Sequence, residues 1–216
     1  MTLPAQIFHL AEASNWPSIQ RHGLLSTSAL LDLAGVRGEK RAPFERRHRT
    51  VHTALPNGTH VRDQKPMFPQ ALARCVIGMS PEDWYHVINS KVFFWLDPAR
   101  VDRQRNACEP RPQIVLVVDT QQLVARYVKT VSLSPINTGN ARRKPAVRGY
   151  STFVPYGVWL QSGWSSEAAG VGTRGRARSH RPVELTIDGA VPDIMNMVVR
   201  MCPLGPGESF RLGASV

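Results

Sequence analysis

The sequence predicts an α+β domain in which apolar strands and capped helices follow one another irregularly. Short apolar runs typical of buried strands recur along the 216 residues. Between them lie segments that begin with a helix-capping residue followed by a proline or an acid. The hydrophobic content of 42% is normal for a folded domain. A chain of this length predicts a single domain over residues 1–216.

The strands are predicted from their hydrophobic patterns. Residues 5–11 alternate between two faces, as in a half-buried strand. Residues 114–118 form a continuous apolar run, which is typical of a central strand covered on both faces. The same reasoning predicts strands at 92–96, 131–133 and 183–187, and a further one at 197–201.

Helix-capping residues predict the helices between these strands. Asn15 precedes a helix with a proline in its first turn, and Gly23 ends that helix. Ser26 or Thr27 caps the next helix, which ends near residue 35. Residues 37–66 are basic and show little periodicity, so a long and partly structured loop is predicted there. Further helices are predicted to begin after Ser80, Asp97 and Asp119.

Positive charge is the unusual property of the composition. The chain has 27 lysines and arginines against 16 acids, a formal net charge of +11. Arginine prevails among the cations, and its planar fork binds phosphate with two hydrogen bonds. The basic residues cluster at 37–49, 142–148 and 174–181. We therefore expect a polyanionic partner, nucleic acid.

Several classes of protein lose support from what the sequence lacks. No apolar stretch approaches the ~20 residues of a membrane helix, and no basic-then-apolar leader is present. The cysteines are odd in number and widely spaced, which predicts neither zinc nor disulfides and favours a reducing cytoplasm. His48 and His52 lack an acid to complete a metal site, so no metal is predicted. The common dinucleotide, NTP and serine-hydrolase motifs are absent.

The predicted strand at 183–187 carries a single acid. Val183, Leu185 and Ile187 alternate with Glu184 and Thr186, so the apolar side chains face the core and Glu184 is expected to lie on the solvent face. A carboxylate held in this way suits an enzyme that stabilises a sugar cation. The alternative is an ordinary exposed glutamate on an amphipathic strand.

The segment before this strand is rich in glycine and arginine. Its composition predicts a mobile cationic loop over residues 165–181 that grips a phosphate-bearing substrate, or else merely a solvated loop. Its arginines are Arg174, Arg176, Arg178 and Arg181.

Several short segments follow one another in a characteristic order along nearly the whole chain. They are Phe8-His9-Leu10-Ala11 with 15–19 and 22–26, Arg46-Arg47 with Thr50-Val51, residues 58–61 with Lys65-Pro66-Met67, and 183–186 with 191–194. In this order they resemble the DarT-type ADP-ribosyltransferases. The strings VFFW at 92–95, SPIN-G at 134–139 and RG-TF at 148–153 resemble a poorly characterised bacterial family of the same plan.

The resemblance implies an ADP-ribosyltransferase-like fold, with a split, mixed or antiparallel sheet core, flanking helices and long basic loops. It implies cleavage of the nicotinamide–ribose bond of NAD and transfer of ADP-ribose. Glu184 would stabilise the oxocarbenium-like centre and His9 would hold a ribose hydroxyl. Ser26 or Thr27 would bind the cofactor, and so would Arg148. One of Arg46 and Arg47 would contact the diphosphate or assist proton removal from the acceptor.

The acceptor implied by charge and resemblance together is a base of DNA or RNA. The 165–181 segment would track its phosphates with Arg174, Arg176, Arg178 and Arg181, and Trp164 would stack a base. A toxin or phage-defence role would follow, with an antitoxin or an ADP-ribosyl hydrolase as partner. Residues 61–64 lack the aromatic-rich DarT segment, which leaves the substrate open.

Three alternatives share parts of this reasoning. A protein-directed ADP-ribosyltransferase would keep the NAD site and use another acceptor. An NAD-dependent RNA 2′-phosphotransferase would rely on arginines and histidines without an essential glutamate. An inactive nucleic-acid-binding module would bind DNA or RNA without consuming NAD.

Overall fold

A seven-stranded antiparallel sheet forms the centre of the protein in a computed structural model that describes residues 2–108 and 111–211. Its strand order is β11-β6-β1-β5-β9-β7-β8, where β1 is Gln6–Glu12, β5 Lys91–Trp95, β6 Gln113–Asp119, β7 Val131–Ser134, β8 Val154–Pro155, β9 Glu184–Asp188 and β11 Val198–Leu204. Two small antiparallel pairs accompany it, formed by β2 Leu24–Leu25 with β10 Ala190–Val191, and by β3 Thr53–Ala54 with β4 His60–Val61.

Helices flank this sheet. They are α1 Trp16–His22, α2 Thr27–Leu33, α3 Ala42–Glu45, α4 Pro69–Ala73, α5 Pro81–Asn89, α6 Pro98–Ala107, α7 Thr120–Tyr127, α8 Tyr156–Ser162 and α9 Ser165–Val171. Single 3-10 turns lie at Ala13–Asn15, Gly38–Arg41, Tyr150–Thr152 and Ile194–Asn196. The α+β class predicted from the sequence is confirmed, and all pairs of the sheet are antiparallel.

The sheet is split between β1 and β5. These two strands are in register only at Phe8 and Trp95. By contrast, β1 pairs with β6 over seven positions and β5 pairs with β9 over five. Each half of the sheet is therefore continuously paired. The opening between the halves exposes side chains of both to a single cleft.

The apolar core joins the two halves beneath this cleft. Side chains from β6, β7 and β9 pack with Leu123 of α7 and Trp159 of α8, all of them fully or almost fully buried. As the continuous apolar run predicts, β6 is buried on both faces between β1 and β11. A second cluster around Met67, Trp84 and Phe153 supports the opposite side of the cleft.

The predicted helix caps are confirmed where their side chains accept the expected bonds. The Ser26 hydroxyl accepts a bond from Ala29 N at 3.2 Å, and Asp97 accepts one from Ala99 N at 2.9 Å. Asn15 stands at the start of α1, but its side chain instead bonds the main chain of His60. It therefore ties α1 to the β3–β4 hairpin.

Two expectations about exposure and loops are wrong. Glu184 does not lie on a solvent face, because β9 is covered on both faces between β5 and β7, and only 3% of the residue is exposed. The segment 165–181 is not a loop throughout, since its first seven residues form α9. The region 37–66 is partly structured as predicted and contains α3 and the β3–β4 hairpin.

No helix within the described ranges combines the length and the apolar character that crossing a bilayer requires.

Gly170 marks a close contact between α9 and the 3-10 turn at Tyr150–Thr152. A β-carbon at this position would lie 1.9 Å from Ser151 Oγ and 2.4 Å from Ser151 Cβ. We expect Gly170→Ala to lower the free energy of unfolding by about 1–3 kcal/mol, because the overlap outweighs the gain in helix propensity. Urea denaturation measures this.

Gly157→Ala in α8 is the matched control, because a β-carbon at this position would have nothing within 4 Å. It should be neutral or slightly stabilising. Equal stabilities of the two variants would contradict the close contact, whereas recovery in Gly170→Ala/Ser151→Gly would support it.

Candidate active site

A cleft of about 810 Å³ opens where the sheet is split. Side chains from both sheet halves and from the loops around them line it. Those on which the chemistry depends are His9, Ser26, Thr27, Arg49, Thr138 and Glu184. A cavity of this volume suits an organic cofactor, which needs an apolar enclosure with a few fixed polar groups.

Glu184 begins β9 and lies at the inner wall of this cleft. Its register partners are Trp95 on β5 and Ser134 on β7, so the backbone is fixed on both sides. Thr138 donates its hydroxyl to Oε2 at 2.7 Å and its main-chain N–H to Oε1 at 3.2 Å. The carboxyl group is thus held in one orientation, and no cation among the described residues forms an ion pair with it.

Burial raises the pKa of the Glu184 carboxyl to about 7, even though the Thr138 donors and the charge of Arg148 lower it. The protein therefore holds a carboxyl group that changes its charge near neutral pH. Such a group stabilises positive charge strongly, because little water is present to screen the interaction.

Arg148 holds the segment that carries Thr138. Its guanidinium donates to Thr138 O and Asn140 O, both at 2.9 Å, and to Ala146 O at 3.0 Å. It also lies 5.6 Å from the centroid of the Trp84 ring. Arg148 is 1% exposed and does not line the cleft, so its contacts are those of a residue that orders residues 138–146. This geometry differs from the predicted cofactor contact.

His9 bridges the opening of the sheet from β1. Its Nδ1 lies 2.8 Å from Phe93 O on β5, and because a carbonyl only accepts, Nδ1 carries the proton. Burial lowers the pKa of His9 to about 4. The ring is therefore neutral at pH 7, and Nε2 is left as an acceptor suited to a ligand hydroxyl.

Ser26 and Thr27 follow the turn at Gly23 and line the cleft. Gly23 has a φ of 74°, and a β-carbon there would meet Val191 O at 2.2 Å, so only glycine fits. Ser26 N donates to Gly189 O at 2.9 Å, which fixes the turn against the end of β9. Its hydroxyl oxygen accepts a hydrogen bond from Ala29 N in α2, so the hydroxyl proton remains available to another acceptor.

The structure does not bring Arg46 or Arg47 to the cleft. Arg46 pairs with Asp83 at 2.9 Å on the surface, and Arg47 is exposed. Arg49 lines the cleft instead and is 9% exposed.

Arg49 is fixed by the main chain and by one amide. Its Nε donates to Arg62 O at 3.0 Å, and Nη1 donates to Asn89 Oδ1 at 3.1 Å and to Phe44 O. Burial lowers its pKa to about 10, against the attraction of Asp63. Within the described residues no carboxylate forms an ion pair with it and Nη2 has no hydrogen bond, so Arg49 is a buried cation suited to an anion.

The neighbouring Arg62 also lines the cleft but is already neutralised. Its guanidinium bonds Glu12 at 3.1 Å and Gln113 at 2.8 Å. Nothing in the sequence distinguishes Arg49 from the rest of the basic run, and Thr138 likewise carries no signal of its own.

The acceptor residues predicted in the glycine- and arginine-rich segment lie outside the cleft lining. Arg176 forms two 3.1 Å bonds with the fully buried Glu167 of α9. Trp164 is buried and donates Nε1 to His180 O at 2.8 Å. The exposed members of the set are Arg174, Arg178 and Arg181.

Across residues 2–108 and 111–211, no group of three or more histidine, cysteine or acidic side chains is placed to hold a metal ion.

The hydroxyl of Thr138 is expected to lower the pKa of Glu184. Thr138→Val removes the donor to Oε2 and keeps the N–H, so the pKa of Glu184 should rise above that of the wild type. Titration of the ¹³C carboxyl shift measures it. Thr138→Ser is the control and should preserve the wild-type midpoint; an unchanged midpoint in the valine variant would contradict the role of the hydroxyl.

Comparison with known proteins gives one family and a distant structural likeness. The solved structure of Thermus sp. 2.9 DarT in complex with NAD⁺ is similar over 93% of this chain and 83% of that one, at 12% identity and a TM-score of 0.40. No curated protein matches the sequence. The family described as a family of unknown function, DUF7002, matches residues 5–198, so the chain belongs to that family.

Proposed function

We propose that this protein is an NAD-dependent ADP-ribosyltransferase that modifies nucleic acid. The observation that carries the proposal is Glu184, a buried carboxyl group fixed by Thr138 at a cleft between two halves of a split sheet. The motif order that resembles DarT-type enzymes supports the same activity.

The residues of the cleft fit NAD. His9 offers a neutral acceptor for a ribose hydroxyl, and Ser26, which lines the same cleft, offers a hydroxyl donor. Arg49 is the buried cation suited to the diphosphate, in place of the expected Arg46 or Arg47. Bound NAD would supply the nicotinamide–ribose bond that breaks and the ADP-ribosyl group that is transferred.

Glu184 would act in its ionised form, because a carboxylate stabilises the positive charge that develops on the ribose as nicotinamide leaves. Since burial raises the pKa of this group to about 7, activity should rise with pH through neutrality. Thr138 and Arg148 would keep the carboxylate aimed into the cleft.

The net charge of +11 supports nucleic acid as the acceptor. A role as a toxin or phage-defence effector, with an antitoxin or an ADP-ribosyl hydrolase as partner, rests on the resemblance alone. Growth arrest on expression of the wild type, abolished by Glu184→Gln, would test that role.

The proposal is tested by incubating the wild type and Glu184→Gln with labelled NAD and, in parallel, single-stranded DNA, RNA and a protein lysate. Label on a nucleic acid that depends on Glu184 is the expected result. Label only on protein would support NAD binding at the cleft but would rule out nucleic acid as the acceptor. No label and no nicotinamide release would point to the phosphotransferase or the binding module.

A further inference from the structure

An exposed aromatic side chain stands at the mouth of the cleft. Phe68 is 50% exposed, whereas the preceding Met67 is fully buried and lines the cleft. The guanidinium of Arg142, which also lines the cleft, lies 6.0 Å from the centroid of the Phe68 ring. A flat apolar face and a cation are thus presented together to solvent beside the cleft.

The two segments that carry Phe68 and Arg142 are rich in positive charge and poor in acids. No acid occurs between Asp119 and Glu167, and none occurs between Asp63 and Glu82. Exposed cations of the two segments include Lys65, Arg74, Arg142, Arg143 and Lys144. Of these, Lys65 lies 4.0 Å from Asp63. Charge complementarity therefore favours a polyanion over this surface.

The aromatic side chain is connected to the catalytic carboxyl group by short contacts. Ala141 N donates to Pro66 O at 2.9 Å, which joins the segment carrying Phe68 to the segment carrying Arg142. The second segment also carries Thr138, which holds Glu184, and its carbonyls are fixed by Arg148. A ligand on Phe68 would therefore be held at a defined position relative to Glu184.

We propose that Phe68 and Arg142 form a stacking platform for a base of single-stranded nucleic acid next to the modified nucleotide, with Lys65, Arg143 and Lys144 near its phosphates. This inference rests on the proposed function and names the acceptor subsite of the same cleft. An exposed ring with a guanidinium on it suits a base, because every base offers a π-face for stacking. It replaces the 174–181 arginines as the acceptor contact.

The test measures binding of fluorescein-labelled oligodeoxythymidylate and oligouridylate to the full chain by anisotropy, together with NAD affinity by calorimetry. Phe68→Ala and Arg142→Ala should each weaken binding of at least one oligonucleotide by about tenfold. Phe68→Ala should keep the wild-type NAD affinity, because Phe68 lies outside the cleft lining. Phe68→Trp should retain oligonucleotide binding.

Tyr150→Ala is the matched control, because Tyr150 is 61% exposed and, unlike Phe68, has no sequence neighbour that lines the cleft. It should leave oligonucleotide binding unchanged. Melting curves check that the variants fold, which is expected because the side chains concerned are largely exposed.

Three other outcomes would overturn the platform. Unchanged oligonucleotide binding in Phe68→Ala and Arg142→Ala would refute it, and weakened NAD binding alone would make Phe68 a contact for the adenine of NAD. If the wild type released nicotinamide but bound neither oligonucleotide, the platform would be refuted. The proposed cleavage of NAD would still be supported. Phe68-dependent oligonucleotide binding without nicotinamide release would instead uphold the platform and refute the proposed function.

Discussion

Glu184→Gln is expected to lower kcat for nicotinamide release by about 100-fold or more, the size of effect seen when a group that stabilises transition-state charge is removed. Glutamine has nearly the same shape and keeps an oxygen for the Thr138 N–H, so NAD affinity should change only a few-fold. What is lost is the negative charge beside the ribose. Single-turnover nicotinamide release and calorimetric NAD binding separate the two effects.

The same substitution should stabilise the fold at alkaline pH. The pKa of Glu184 is raised from 4.5 to about 7 in the folded state, so the folded protein binds more protons than the unfolded chain between these values. The contribution of protonated Glu184 to the free energy of unfolding is therefore fully present below pH 4.5 and is lost as the pH rises to about 7. Because glutamine does not ionise, Glu184→Gln should keep this part of the free energy of unfolding at alkaline pH, which is on the order of 3 kcal/mol.

Urea denaturation at pH 5 and pH 8 measures the difference, with Asp188→Asn at the exposed end of the same strand as control. Loss of activity together with a gain of stability at pH 8 would assign the defect to chemistry. If Glu184→Gln were fully active, Glu184 would have no catalytic role and the phosphotransferase would become the better explanation.

Arg49→Met is expected to weaken NAD binding by about 10- to 100-fold, because a charge-assisted hydrogen bond contributes about 1.5–3 kcal/mol. Arg49 is the buried cation of the cleft, and methionine replaces its aliphatic part without its charge. Calorimetric titration with NAD measures the change. Denaturation curves record the stability lost with its bonds to Asn89 and Phe44.

Arg46→Ala and Arg47→Ala are the matched controls from the same basic run. Both side chains are exposed outside the cleft lining, so NAD affinity should stay within about twofold of the wild type, as for other surface substitutions. A larger effect at Arg46 than at Arg49 would restore the assignment made from the sequence and would require the cleft to close differently around NAD.

The sequence predicted those features that depend on neighbours along the chain. The strand β6 follows from its continuous apolar run, and the caps at Ser26 and Asp97 follow from residue types two or three positions apart. Glu184 stands out as a candidate for the same reason, because a lone acid in an apolar strand is visible as a pattern, and its catalytic role stays a prediction.

Features that depend on distant partners were not predicted. Alternation in 183–187 indicates one buried face, but the second face is covered by Thr138, which lies 46 residues away in sequence. Arg49 differs from Arg46 through its contact with Asn89, 40 residues away. The composition of the 174–181 segment likewise gave no indication that Arg176 binds the buried Glu167.

The central position of β1 has a consequence for synthesis of the protein. The strand β1 is synthesised before both of its neighbours, β5 and β6, so it stays unpaired in the sheet until β5 has been made. The cleft needs still more, because His9 and Glu184 come from opposite ends of the sequence and meet only after β9 has joined β5. A prematurely terminated chain that ends before β9 carries no Glu184, so only translation products that extend through β9 contain the proposed catalytic pair.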